Sequence, residues 1–179
     1  MDLQISIYLN QLWRGTFIDK ITSLISSNLF LATIGACLII VSIALDKTKG
    51  KKIFIAIFIA AIFHFLINEY FLKHLLGEVI DLRERPYIAY PDYIKEVGIQ
   101  KFQDASFPSS HMAALLLTIT VFYNYYRKKI ILSCGIIFTV LMAFARIHNG
   151  MHYPSDVFAG AMLGIIYGLI GIYITTKKS

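Results

Sequence analysis

Arg85, Arg146, His111, His152, the pair Ser109-Ser110 and Asp156 fall in three short stretches of the chain: Arg85-Pro86, the run FPSSHMA at 107–113, and the run from Arg146 through His152 to Asp156. These are the groups that phosphoryl transfer needs. The charge of a transferring phosphoryl group spreads over its equatorial oxygens, so cations and N–H donors must surround them. A nucleophile must lie in line, and an acid must protonate the leaving oxygen. Lys73, Arg85 and Arg146 can supply the cations, and a guanidinium grips oxygens in pairs. Pro108-Ser109-Ser110-His111 and Pro154-Ser155-Asp156 both carry helix-start signals, and free N–H groups at a helix start attract anions. Asp156, in the first turn of its helix, is expected to reach back to a ring nitrogen of His152, fixing the tautomer and stabilising the imidazolium.

The elements that must position these groups are membrane helices. The chain has 179 residues, 57% of them hydrophobic, and a mean hydropathy of +0.65, where a soluble domain is about half apolar. The excess lies in long blocks, which reads as one integral-membrane domain over residues 1–179. A spanning helix needs about 20 mostly apolar residues. Blocks at 29–45, 53–72, 130–145 and 157–175 qualify, and a fifth at 111–126 is shorter. Between residues 4 and 27, Ile5, Leu9, Leu12, Trp13, Phe17, Ile21 and Leu24 recur at helical spacing with Gln11, Arg14, Asp19 and Lys20 between them. That pattern predicts an amphipathic helix in the membrane interface, with an imperfect sixth span as the alternative. The expected fold is an all-α bundle of five to six helices. No cleaved leader is expected.

The net charge of +6 does not point to nucleic acid, because the basic residues sit in short clusters beside apolar blocks. Lys47, Lys49, Lys51 and Lys52, then Arg127, Lys128 and Lys129, then Lys177 and Lys178 fall on one side of a five-span topology. The positive-inside rule assigns that side to the cytoplasm, which turns all three chemical stretches outward at headgroup depth. Cys37 and Cys134 lie inside apolar blocks and read as packing residues. Tyr87, Tyr90, Tyr93 and Phe102 accompany charges in the long outward connection, so 88–104 is either a short interfacial helix or lid, or a solvated loop. His64, Asn68 and Glu69 inside the second span either line a cavity beneath the site or make an interhelical hydrogen bond. His74 and His148 read as polar surface. Histidine with aspartate can mark zinc, but the neighbouring arginines repel a cation, so no metal or cofactor is expected.

These residues resemble the type-2 phosphatidic acid phosphatase superfamily, membrane lipid phosphatases that share their active site with vanadium haloperoxidases. The family shows Lys-x6-Arg-Pro, Pro-Ser-Gly-His and Ser-Arg-x5-His-x3-Asp. The third signature matches from Arg146 through His152 to Asp156, with Ala145 in place of the serine. The second reads Pro108-Ser109-Ser110-His111, with serine in place of glycine. The first departs more: Glu78 stands seven before Arg85, and Lys73 lies five residues too early unless 78–82 is an insertion. Lys73 is the favoured cation and Arg83 its competitor, while Glu78 and Asp81 in the insertion are candidates for shaping headgroup choice.

The resemblance implies a haloperoxidase-like helical core with His152 as nucleophile, Asp156 orienting it and His111 as general acid. Lys73, Arg85, Ser109, Ser110 and Arg146 would hold the phosphate, without metal. It implies a multi-pass protein of the bacterial cytoplasmic membrane with its site facing the periplasm or exterior. The partners would be the bilayer and a lipid phosphate: a chain this short resembles the lipid A 1-phosphatases and undecaprenyl diphosphatases, so lipid A 1-phosphate or undecaprenyl diphosphate is favoured over phosphatidylglycerophosphate. The alternatives are a phosphotransferase of the same fold and a non-catalytic phosphate-binding membrane protein. Nothing in the sequence sets the oligomeric state.

Overall fold

Five long helices run antiparallel past one another, and the chemistry gathers at one end of them. The structure is a computed structural model and describes residues 1–76, 82–98 and 104–177. Helices α1 (Asp2–Gln11) and α2 (Phe17–Ile25) precede α3 (Asn28–Leu45). α4 (Lys47–His64) continues as a π-helical stretch, Phe65–Leu75. The short α5 (Pro86–Ala89), then α6 (Ser110–Tyr126), α7 (Lys129–His148) and α8 (Pro154–Lys177), complete the chain, and no strand occurs among the described residues.

Four of these helices are long and apolar enough to cross a membrane: α3, α4 with its π-helical extension, α7 and α8. α6 packs along α8 and has 17 residues, about 26 Å at 1.5 Å per residue. Large apolar side chains such as Leu29, Ile40, Phe58, Ile137, Val140 and Phe158 point outward from the bundle. In water that surface would be an aggregation liability, and in a bilayer it is the lipid contact. The chain is therefore an all-α, multi-pass membrane protein.

The connections explain the antiparallel course. Asp46 ends α3 and caps α4, its carboxylate accepting from Lys49 N at 2.9 Å. Arg127 ends α6 in the left-handed conformation. Both turns lie at the end opposite the chemistry, where Ser42 and Tyr126 hydroxyls meet at 2.7 Å and Lys49 sits over the Tyr126 ring.

α8 is packed most closely. Gly160, Gly164 and Gly168 recur every fourth residue on one face, and an added Cβ at Gly160 or Gly164 would run into the carbonyl oxygens of Ser109 or Ala113 on α6. On a neighbouring face, Gly171 meets the Ala56 carbonyl of α4 in the same way. Helices without a solvent-driven hydrophobic force between them gain from such close backbone approach. Ala60, Ala113, Leu117 and Tyr167 form the buried layer beside this seam.

The N-terminal region departs from expectation. The single amphipathic helix expected over 4–27 is two helices, broken where Trp13 and Gly15 take positive φ of 58° and 79°. A left-handed residue ends a helix, and glycine adopts it at little cost. Tyr8, Trp13, Phe17 and Leu24 are exposed, while the polar faces turn inward onto α7 and α8: Asn10 Nδ2 donates to the His148 carbonyl at 2.6 Å, and Asp2 accepts from the Ser155 backbone at 3.1 Å.

Candidate active site

His152 sits in the turn between α7 and α8 and is 1% exposed. Its Nδ1 lies 2.6 Å from the Ser106 carbonyl oxygen, which can only accept. Nδ1 therefore carries the proton, and Nε2 keeps its lone pair. Arg146 Nη2 at 3.0 Å and Arg85 Nη1 at 3.4 Å flank Nε2. Burial, then the charges of Arg146, Arg85 and Lys73, hold the ring well below the ordinary imidazole pKa. The ring is neutral, and its unprotonated Nε2 accepts from the two guanidinium groups; an unprotonated nitrogen is what a nitrogen nucleophile needs.

The two arginines are fixed from different parts of the chain. Arg85 is 2% exposed; its Nη1 donates to the Met151 carbonyl at 3.0 Å, and its Nε to the Asp104 carbonyl at 3.1 Å. Arg146, in the last turn of α7, donates through Nη1 to Ser26 Oγ at 2.6 Å. Ser26 closes α2, so the N-terminal helices orient a guanidinium of the site.

A cavity of about 320 Å³ opens beside these groups, with Lys73, Arg85, Arg146, His111 and His152 in its wall. Lys73 reaches it from the π-helical stretch. In an α-helix the nine residues from His64 to Lys73 make about two and a half turns and would point the two side chains apart. Hydrogen bonds to the fifth residue wind the stretch more slowly, and His64, Glu69 and Lys73 all line the cavity. Lys73 Nζ meets Asp104 Oδ2 at 2.9 Å, Ser110 Oγ at 2.8 Å and Glu69 Oε2 at 3.4 Å. Ser110 Oγ donates to Glu69 Oε1. Asn68 does not join them; it accepts from Tyr167 OH at 2.6 Å, so the polar trio of the second span divides between cavity and interhelical bond. His111 Nε2 and His64 Nδ1 are buried and have no hydrogen-bond partner among the described residues.

Several expectations are corrected. Asp156 does not touch the His152 ring. Its carboxylate accepts from Ser106 Oγ at 2.6 Å, Tyr153 N at 2.9 Å and Arg83 Nη1 at 3.1 Å. Ser106 stands between: its hydroxyl holds Asp156 while its carbonyl holds His152. At the start of α8, the Asp156 carboxylate reaches back to the N–H of Tyr153, the residue before the helix, a capping geometry that takes it away from the ring. Arg83 is outside the cavity wall. It bonds Asp2 at 2.6 Å and Ser155 at 2.7 Å and lies over the Tyr153 ring. Ser109 is buried and also outside the wall; its backbone N–H donates to the Asp156 carbonyl at 3.1 Å, and its hydroxyl is unpartnered among the described residues. His148 is not polar surface but fully buried, bonded to the Leu9 carbonyl and Asp19, each at 2.9 Å. His74 is exposed. Glu78, Asp81 and Phe102 lie outside the described residues.

Ser26, Glu69, Asp104 and Ser106 were not singled out as phosphate-site residues from the sequence. Asp104 and Ser106 immediately precede the Pro-Ser-Ser-His run, a signal that was present; Ser26 lies 120 positions from Arg146 and carried none. Among the described residues no three His, Cys, Asp or Glu side chains are grouped to hold a metal.

A family model, the PAP2 superfamily, matches residues 50–179. The chain is 32% identical over 113 residues to an undecaprenyl-diphosphatase of Sulfolobus acidocaldarius, covering 61% of this chain and 53% of that protein. It is 30% identical over 141 residues to undecaprenyl-diphosphatase BcrC of Bacillus subtilis, covering 78% and 67%. It is also 30% identical over 135 residues to the bacitracin transport permease protein BcrC of Bacillus licheniformis, covering 75% and 62%. The matches thus span about half to two thirds of the length of these curated relatives. Among solved structures, LpxE of Aquifex aeolicus shares the fold with a TM-score of 0.71 at 24% identity, covering 96% of this chain and 94% of that one. A PAP2-type phosphatidylglycerolphosphate phosphatase of Bacillus subtilis shares it with a TM-score of 0.69 at 19% identity, covering 99% and 86%. With the family match running from the start of α4 through the whole Arg146–Asp156 run, the chain belongs to the PAP2 superfamily.

Proposed function

We propose that the protein is a metal-independent lipid phosphatase that removes a terminal phosphate through a phosphohistidine at His152. One observation carries the reading: the unprotonated Nε2 of a buried imidazole lies between two guanidinium groups, and His152 lines a cavity with a lysine and a second histidine in the same wall. A phosphoryl group held by Lys73, Arg85 and Arg146 would present phosphorus to that nitrogen. The Nε2 lone pair forms the N–P bond as the P–O bond to the lipid breaks, and His111 gives the leaving oxygen its proton. Water then gives a proton to His111 as it attacks phosphorus, the N–P bond breaks, and inorganic phosphate departs. Ser106 keeps the proton on Nδ1 throughout, and Asp156 steadies Ser106. Ser110 supports Lys73.

The cavity lies at the end of the bundle opposite the basic turns, which supports an outward site that takes its lipid from the outer leaflet of a bacterial cytoplasmic membrane. Undecaprenyl diphosphate is the first substrate to test, because the relatives of 30–32% identity include two named for it. Lipid A 1-phosphate and phosphatidylglycerophosphate follow. The test is phosphate release by detergent-purified protein from these three lipids in EDTA. The expected result is release from at least one lipid that His152→Ala abolishes; release that survives in the variant would remove the histidine mechanism.

A further inference from the structure

An anion already sits across two cations of the cavity. Asp104 places one carboxylate oxygen 2.9 Å from Lys73 Nζ and the other 2.7 Å from Arg85 Nη2. Its own carbonyl accepts from Arg85 Nε at 3.1 Å. The side chain is 38% exposed and lies in the cavity wall. Burial works to raise its pKa, but the charges of Lys73 and Arg85 and their hydrogen bonds outweigh that and hold it below the usual carboxylate range. The two cations thus favour the ionised carboxylate. The third cation differs: Arg146 pairs with no carboxylate among the described residues and meets Ser26 and His152 instead. Glu69 holds Lys73 from its own helix, so Lys73 keeps a partner without Asp104.

Two carboxylate oxygens, each on a different cation, reproduce how two oxygens of a phosphate would bind the same pair. Resting on the phosphatase reading of this cavity, we propose that Asp104 is a resident anion of the phosphate cradle. It keeps Lys73 and Arg85 apart and oriented while the site is empty, and an incoming phosphate displaces its carboxylate from both. The phosphate affinity that is observed is then the intrinsic affinity reduced by the fraction of cradles in which Asp104 has let go.

The experiment is calorimetric binding of inorganic phosphate and of orthovanadate to detergent-purified wild type, Asp104→Asn and Asp104→Glu, with phosphate release from lipid measured on the same preparations. Asn keeps the shape and removes the charge, so Asp104→Asn is expected to bind phosphate about tenfold more tightly, while Asp104→Glu, which keeps a competing carboxylate, stays within about twofold of wild type. The unliganded Asn variant should also melt lower, having lost the carboxylate that bridges the two cations, and recover in phosphate. If Asp104→Asn is not recovered folded, Asp104→Ser takes its place under the same criteria. Unchanged or weaker phosphate binding by the uncharged variant, with wild type still binding and turning over, would make Asp104 a fixed ion pair and overturn the proposal while leaving the phosphatase intact. Wild type that neither binds phosphate nor releases it would overturn the phosphatase reading, and this inference with it.

Discussion

The site end of the bundle and the seam between α6 and α8 are held together in opposite ways. At the site end, buried polar groups are fixed by hydrogen bonds to partners far away in sequence: Arg146 to Ser26, His152 to Ser106, Asn10 to His148. Along the seam, Gly160 and Gly164 press directly against carbonyl oxygens of Ser109 and Ala113. The seam sets how close the helices stand, and the network sets where the guanidinium and imidazole groups point. They meet at Ser109, whose carbonyl packs on Gly160 and whose N–H holds the Asp156 carbonyl. Damage to one should therefore read differently from damage to the other.

The largest effect is expected from breaking the seam. Gly164→Leu puts a side chain where the Ala113 carbonyl lies, and the resulting strain should cost about 3 kcal/mol or more. Melting temperature and activity should fall together. Activity retained at full stability would mean that α8 does not depend on that close approach.

Ser26→Ala should do the reverse. It removes the hydroxyl at 2.6 Å from Arg146 Nη1 but leaves the Ser26 carbonyl at 3.3 Å on the same nitrogen, so the guanidinium keeps a partner and loses its aim. Because Arg146 would serve the transition state, kcat/KM should drop about tenfold with melting little changed and with partial rescue by Ser26→Thr. An equal fall in stability and no change in kcat/KM would mean that the N-terminal helices brace the fold rather than the site.

A smaller effect should appear with pH. The His152 pKa lies well below the ordinary 6.5, chiefly through burial and then through Arg146, Arg85 and Lys73. Below pH 6.5 the unfolded chain takes up a proton that the folded ring refuses, so the unfolded state binds more protons and stability falls as pH falls. The slope from this group is up to roughly 1.4 kcal/mol per pH unit, and it vanishes above that range. Between pH 7 and 5 the melting temperature of wild type should fall more steeply than that of His152→Gln. Parallel curves would show that the ring protonates freely in the folded state.

The two regions also differ in how far the sequence disclosed them. Apolar blocks located the long helices, because a bilayer imposes length and composition on a span. The Gly160, Gly164, Gly168 spacing also stands in the sequence, but its role emerges only from the packing, because spacing alone does not name α6 as the partner. At the site, the Arg146–His152–Asp156 run put its residues at one end of the bundle because they share a single turn between helices. What stayed hidden depends on register and on distant contacts. The π-helical winding that turns Lys73 into the cavity, the left-handed Trp13 that splits the N-terminal helix, and the Ser106 carbonyl that takes the place expected for Asp156 carry no local pattern.

The account turns on His152 Nε2 as the atom that takes the phosphoryl group. A phosphoramidate is stable in alkali and labile in acid, so the direct measurement is rapid alkaline quenching of protein turning over a lipid labelled in its terminal phosphate, followed by peptide mapping. The account predicts an acid-labile phosphoryl group on the peptide containing His152, absent from His152→Ala. Label on another residue, or turnover by His152→Ala, would contradict it.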